Sequence, residues 1–577
     1  MIKKIFIISF IIIIAGGCGK DPLDITPDGR TTLKDVFSDN DQTGAYLNSC
    51  YAFLQKYGIR YFHFMFLAAL SDEAHDSDDP TENLTATAWY KGTLTPSNNP
   101  LGNNRGDDNG NYYGTAWQGI RKCNVFLANI DNAKVTNPAD AARWKAEAKV
   151  LRAYYYWELI KMYGGMPVVD KPFDLTADFV NLKRDAFNDC VQFIVKDCKE
   201  AIAEPQLPWR ITTGETDRSR FTKAVAYAIM SEATLFNASP LWNPDNNVEK
   251  WQQAATLSKE ALDALTGNGF MLASDYRNYF LTTPDLGANP ADKETILQLK
   301  NSDVMDALTN FNGIPSISPY KGGSTPSQEL VDAYEMKNGQ PPITGYADAD
   351  HLHPVINTAS GYDETDPYVN RDPRFYATVF YNNAYYGTIN GVPHYIESHV
   401  DGTDGIRNND RKHTHNGYYL HKFIDASLRN DQGSSAKWRR YRLAEIYLNY
   451  AEALNEAYGT TPEAYDAVNA IRSRPSVSMP PLSGLTKEQF RQRVRNERRV
   501  ELAFEENRFW DVRRWKILDQ TDKLTTGMQW TKVAANSFAG KRIVVDRRQS
   551  WAEKFHVFPI PSTEIITMPL FVQNPGW

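Results

Sequence analysis

Cysteine is scarce in this chain: five in 577 residues, too few to be the covalent frame of a protein this large. Cys190 and Cys198 share a predicted helix and stand about 12 Å apart along its axis, too far for a disulfide while the helix persists. Neither they nor Cys50 and Cys123 stand in a CxxC or Cys/His pattern of the kind that holds zinc, so all four are expected as buried small hydrophobes. A basic surplus is also missing. The 63 Lys and Arg face 70 Asp and Glu, a net charge of -7, which argues against nucleic acid as a main partner because phosphate binding needs a basic face. After Ile14 no apolar run approaches the roughly 20 residues that span a bilayer as a helix. There is no GxSxG, HExxH or P-loop motif, and strand signals are too sparse for most folds that carry a hydrolytic carboxylate pair. A secreted glycoside hydrolase and a purely structural helical scaffold therefore stand behind a binding protein as readings of this sequence.

What the chain does have begins at its first residues. Lys3 and Lys4 precede the apolar run Ile5–Ile14, broken only by Ser9, and Ala15-Gly16-Gly17 lead into Cys18. Charge, apolar run and small residues in that order make a secretory signal, with a cysteine placed for lipidation. Residues 1–17 are expected as the signal peptide and Cys18 as the lipid-bearing start of the mature chain. Each buried methylene of such a lipid adds about 0.8 kcal/mol of membrane affinity. Residues 18–35 are polar and carry two prolines, as a tether would.

Aromatic side chains are abundant. Tyr, Phe and Trp make 12% of the chain, with 31 Tyr against 27 Phe and 13 Trp. In an exported protein with many Asn, Asp and Gly in its loops, this is the equipment for sugars: ring faces stack on C–H faces while amides, carboxylates and guanidinium groups bond hydroxyls.

Helical periodicity starts near Val36, then gives way over 71–111 to a stretch rich in Asp, Asn, Gly and Thr that reads as a long ligand loop. Ala116–Ala133, Ala139–Tyr163, Asp185–Ala203, Thr222–Asn237 and Val248–Leu265 all repeat apolar residues at helical spacing. The pairs 222–237 with 248–265, and 438–458 with 462–473, have the size and alanine placement of tetratricopeptide-like hairpins. Between them, 267–435 is mostly irregular, with strand-like runs at Thr295–Lys300, Tyr376–Tyr381 and Tyr418–Phe423. The expected fold is mainly α: a helix-hairpin framework at 36–266 and 436–577 carrying an irregular, loop-rich lobe at 267–435 with a few short strands. Phe555–Trp577 reads as an extended, proline-marked tail.

Several segments, in order, resemble the SusD/RagB family of nutrient-uptake outer-membrane lipoproteins of Bacteroidetes. They are LSDE at 70–73, WQGIRKCN at 117–124, AEAKVLRAYYYWELIKMYGG at 146–165, RRYRLAEIYLNYAEALN at 439–455, AVNAIR at 467–472, RNERRVELAFEENRFWDVRR at 495–514, FPIPSTE at 558–564 and QNPGW at 573–577. The resemblance covers essentially the mature chain. It implies a SusD-like fold, no catalysis, capture of a glycan (in some members a peptide), and delivery to a TonB-dependent SusC-like transporter. It also implies an anchor in the outer membrane, facing the exterior.

Within 495–514 the residues themselves read as structure. Arg498 with Glu501, and Glu505 with Arg508, fall at helix-pairing distance, and arginine forks can brace neighbouring helices. Phe509, Trp510 and Trp515 have core spacing. Family ligand residues vary with substrate, so candidates come from local chemistry. In the first loop region these are Asp72, Trp89, Tyr90, Asn98, Asn103, Arg105 and Tyr112, with Trp89-Tyr90 expected to be exposed for stacking. In the second they are Phe311 and Tyr320, which flank Gly313 and Pro315 and precede an exposed-looking Lys321-Gly322-Gly323. Trp242, between Pro240 and Pro244, is a further candidate. The HxH pairs His351/His353 and His413/His415 and the acidic run Asp76–Asp79 suggest metal, but the run lacks the spaced pattern of a calcium loop and reads as a solvated loop. No cofactor is expected.

Overall fold

The computed structural model describes residues 31–54, 65–78, 84–99, 112–174, 176–211, 219–282, 292–299, 308–428, 436–535 and 537–577. Cys18 and most of the tether, and the candidates Asn103 and Arg105, lie outside the described residues.

The helices form where the sequence places caps and apolar stripes. The longest, Pro138–Tyr163, opens with Asn137 accepting from the Ala139 amide and proline at its first turn, and stops at Gly164, whose φ is 79°. Only glycine holds that angle cheaply, and the next residue, Gly165, is pressed so closely on the Asp185 carbonyl that a Cβ would stand 2.1 Å from it. From Ala146 onward nearly every side chain of this helix is buried, so it forms the spine of the core. Phe187–Ile202 packs on it, followed by the hairpin Lys223–Ala238 and Val248–Gly267. The second hairpin, Leu443–Tyr458 with Pro462–Arg472, packs against the first. Ala224, Ala228, Ala254, Ala261, Ala451 and Ala453 are fully buried, as close helix crossings require. One apolar cluster runs from Phe37 to Phe571.

Boundaries differ from the periodicity in instructive places. Helix was expected from 438, but Arg439–Arg442 is a strand paired antiparallel with Thr295–Gln298, and helix begins at Leu443. Its arginines turn inward to buried carboxylates. The run 376–381 was expected as strand. Asp372 caps a helical turn opened by Pro373, so Pro373–Thr378 is helical and only Val379-Phe380 pair as strand. The excursion at 71–111 contains a helix, Leu84–Tyr90. The tail is not wholly extended either, since Ser562–Thr567 is helical; it is docked through Asn574 to the Tyr163 and Phe558 carbonyls. A long antiparallel hairpin, Leu524–Ala534 with Ser537–Arg547, was not foreseen, although Met528 and Trp530 alternate inward along it. The four described cysteines are buried and unpaired.

Buried ion pairs fasten the lobe to the framework. Arg442 reaches Glu294, Glu501 and Glu505, and Arg374 reaches Asp372, Glu497 and Glu501. The helical pairs Arg498–Glu501 and Glu505–Arg508 do not form. The helix ends at Glu501, Phe504 and Glu506 take φ of 62° and 71°, and the four residues find other partners: Arg498 bonds Asp511, and Arg508 bonds Asp72. Phe509, Trp510 and Trp515 are core, as their spacing implied.

Candidate functional site

Phe311 and Tyr320 are brought together by a loop with a pinched neck. After the helical turn Leu308–Phe311, the Tyr320 amide donates to both the backbone and side-chain oxygens of Asn310, each at 2.8 Å. Asn312 Oδ1 accepts from the Ser324 amide at 2.8 Å. Gly323, with φ of 73°, lies so near Asn312 that a Cβ would sit 2.2 Å from its Oδ1; the glycine is there for close approach. The rings of Phe311 and Tyr320 stand 5.1 Å apart, tilted by 58°. Tyr320 keeps 40% of its surface exposed.

Arg411 holds the tyrosine in place. One guanidinium nitrogen donates to the Tyr320 hydroxyl at 2.5 Å, the group lies 4.9 Å from the ring centre, and Nη2 lies 2.8 Å from Asp78 Oδ1. Beneath it, the Lys321 ammonium sits 3.1 to 3.2 Å from the carboxylates of Asp76 and Asp78. Asp76, Ser77, Asp78 and Lys321 are all buried. The acidic run up to Asp78 is therefore no solvated loop, and Lys321-Gly322-Gly323 is no exposed one. Cation and carboxylates neutralise each other as the base of the platform, which is what burying such charges demands.

Beside this base opens a cavity of about 290 Å³ lined by His75, Asp78, Tyr90, Asn408, His415 and Arg547, among others. Tyr90 is half-buried, donates to the Ala69 carbonyl at 2.8 Å, and stacks on His75 at 5.1 Å. Burial and the nearby His415 and Arg548 hold His75 well below its ordinary pKa, so it is a neutral imidazole at physiological pH. Neutral nitrogens, amide and charged groups around a small space suit a ligand with many hydroxyls.

The remaining candidates go elsewhere. Trp89 is fully buried among Phe509, Phe555 and Phe558; because it sits on a helix facing the core, it offers no platform. Asp72 is buried between Arg499 and Arg508. Tyr112 is buried at the start of the Tyr112–Asn129 helix. Trp242 stacks face to face on Phe187 at 4.1 Å and closes the hairpin turn. Asn98 is exposed, in a tight turn closed on Thr95 and pinned to Ser562 through Pro96 and Ser97. The histidine pairs scatter: His351 stacks on Tyr346 and meets Glu329, His353 bonds Asp348, and His413 faces Asp410. Arg411 was missed; nothing in its surroundings, RNNDRKHTH, distinguishes it from any surface arginine.

A second, apolar groove of about 560 Å³ lies far from this chemistry in sequence. Trp117, Phe173, Phe179, Met568 and Phe571 line it, and Ile566, Leu570 and Val572 stand exposed along the same C-terminal segment.

Residues 293–577 match the SusD family, and residues 64–235 match the family described as starch-binding, associating with outer membrane. The chain belongs to the SusD/RagB family. Among its relatives, SusD-like protein P2 of Formosa agariphila is 24% identical over 501 residues, 82% of each chain. The crystal structure of a SusD-like protein from Bacteroides fragilis superposes with a TM-score of 0.75 at 26% identity, over 97% of this chain and all of that one. A SusD-like carbohydrate-binding protein of the same organism superposes at 0.68 and 22% identity, over 93% and 99%. The helix-rich SusD-like fold expected from the sequence is the fold observed. The family description names outer-membrane association, and no helix among the described residues is long and apolar enough to cross a membrane.

Proposed function

We propose that this protein is a non-catalytic surface lipoprotein that binds an oligo- or polysaccharide and passes it to a TonB-dependent SusC-like transporter. One observation carries the binding half: an exposed tyrosine, braced by Arg411 and backed by Phe311, beside a small cavity lined by hydroxyl-binding groups. A sugar ring stacks on the tyrosine and turns its hydroxyls toward the cavity. The carbohydrate-binding relative supports this ligand class. Asp76 and Asp78, the carboxylates at the platform's base, are engaged by Lys321 and Arg411, an arrangement that suits a structural base better than a general acid aimed at a leaving group.

The delivery half rests on family membership and on the apolar groove at 117–124, 169–182 and 564–571. Exposed apolar patches of this kind mark protein contacts, and the occupant assigned here is the transporter. The anchor is Cys18, with the body held on the outer face of the outer membrane. Isothermal calorimetry of the soluble domain against a polysaccharide panel tests binding, with Tyr320→Ala as the control that should abolish it. Pull-down of a barrel transporter by wild type, and its loss in Phe173→Glu/Leu570→Glu, tests docking. Release of Cys18→Ser from membranes tests the anchor. No glycan bound by wild type, and no transporter recovered, would leave neither half standing.

A further inference from the structure

The strands Tyr385–Ile389 and Val392–Tyr395 form a short hairpin whose inner side, through Tyr386 and His394, is packed into the protein. Its first cross-strand pair is Tyr385 with Tyr395. Both are about half exposed, at 53% and 48%, and their rings stand 5.5 Å apart, tilted by 58°. The Tyr385 hydroxyl is fixed to Thr388 Oγ1 at 2.9 Å, which limits the ring's freedom without covering it. A cross-strand aromatic pair adds modestly to the stability of a hairpin, and about half of each ring's surface is still left open to a second contact.

The hairpin is tied to the loop of the Tyr320 platform at two points. Ser316, four residues before Tyr320, bonds His394 Nε2 at 2.8 Å. Asp404 accepts from the Ser316 amide through one carboxylate oxygen, at 2.8 Å, and from the Glu397 amide through the other, at 3.0 Å. Fully extended chain covers about 3.5 Å per residue, so these ties keep Tyr320 and Tyr395 within roughly 30 Å of each other. Two tyrosine platforms on one braced lobe, no farther apart than that, lie within the reach of one chain of sugar rings.

We propose that Tyr385 and Tyr395 form a second glycan-stacking platform, so that the protein selects extended polysaccharide over short oligosaccharides by binding it at two places. This rests on the glycan reading of the Tyr320 site. Two linked weak contacts on one chain strengthen binding beyond either alone, and only a ligand long enough to span them gains.

The test is calorimetry of the intact soluble domain with trisaccharide and full-length polymer of amylose, laminarin, alginate, xylan and mannan. Tyr385→Ala/Tyr395→Ala should weaken the bound polymer by about three- to tenfold, as the loss of aromatic contacts implies, and leave its trisaccharide unchanged. Tyr385→Phe/Tyr395→Phe, which keeps the rings, should bind like wild type, and Tyr320→Ala should lose both lengths. Equal polymer affinity for wild type and the double alanine variant, with Tyr320→Ala still defective, would overturn the second platform alone. A wild-type protein that binds none of the five would overturn the glycan reading and the second platform with it.

Discussion

Asp72 and Arg508, 436 residues apart in sequence, meet in a two-pronged ion pair with both bonds at 2.8 Å. Arg499 adds a third contact to the same carboxylate, at 2.9 Å. The start of the first loop region is thereby fastened to the last helices of the framework. Burial works against the charged carboxyl, yet the two arginines outweigh it and hold Asp72 at about 2. Its contribution to stability is present above the unfolded value near 4 and is lost as the pH falls through 2. Asp72→Ala strands a buried guanidinium group, so it should cost about 3–5 kcal/mol in urea denaturation. Any loss of glycan binding in that variant should track unfolding.

The neighbour of Asp72 behaves oppositely. Glu73 is fully buried, and neither carboxylate oxygen has a hydrogen-bond partner among the described residues. Burial, with help from Asp72, pushes it up to about 8. The unfolded chain gives up this proton near 4.5, so stability from this group is greatest below that value and falls as pH rises to 8. Glu73→Gln should flatten that slope. Thermal melts should show the variant gaining on wild type between pH 5 and pH 8; a gain that is constant over that range would refute the assignment.

Arg411 is a positioning residue, acting through Tyr320 and Asp78. Arg411→Met should weaken glycan binding about tenfold, consistent with removing a charge-assisted bond and a cation–π contact. Arg411→Lys should restore little, because one ammonium cannot reach the hydroxyl and the carboxylate as a planar fork does. Unchanged affinity in Arg411→Met would detach the residue from the site.

Trp89 was expected to be a platform and is core. Trp89→Ala should cost about 3–5 kcal/mol of stability, the usual loss for a buried aromatic. Trp89→Leu, which keeps an apolar side chain but no ring, should bind glycan like wild type wherever it is folded, an outcome that a stacking role for the indole would not allow.

The framework was legible because helices announce themselves locally. Asn137-Pro138, Thr461-Pro462 and Gly164 mark ends, and alanines mark crossings. Of the candidate site, the meeting of Phe311 and Tyr320 was legible, because both lie on one short loop. Trp89 misled because a tryptophan in a polar stretch looks exposed until the short helix Leu84–Tyr90 turns it inward. Lys321, Asp76 and Asp78 misled because each looks like a surface charge; burial becomes tolerable only when distant segments bring them together. Arg439 to Arg442 show the same limit: an arginine-rich run reads as surface until its carboxylate partners, from positions 158, 232, 292, 294, 501 and 505, are known.

The proposed glycan site is Tyr320, held in place by Arg411. Calorimetric titration of wild type and Tyr320→Ala with the same polysaccharide tests it most directly, with circular dichroism to show that both are folded. Saturable binding by wild type and none by folded Tyr320→Ala is the predicted result. Equal affinity of the two proteins for that polysaccharide would contradict it.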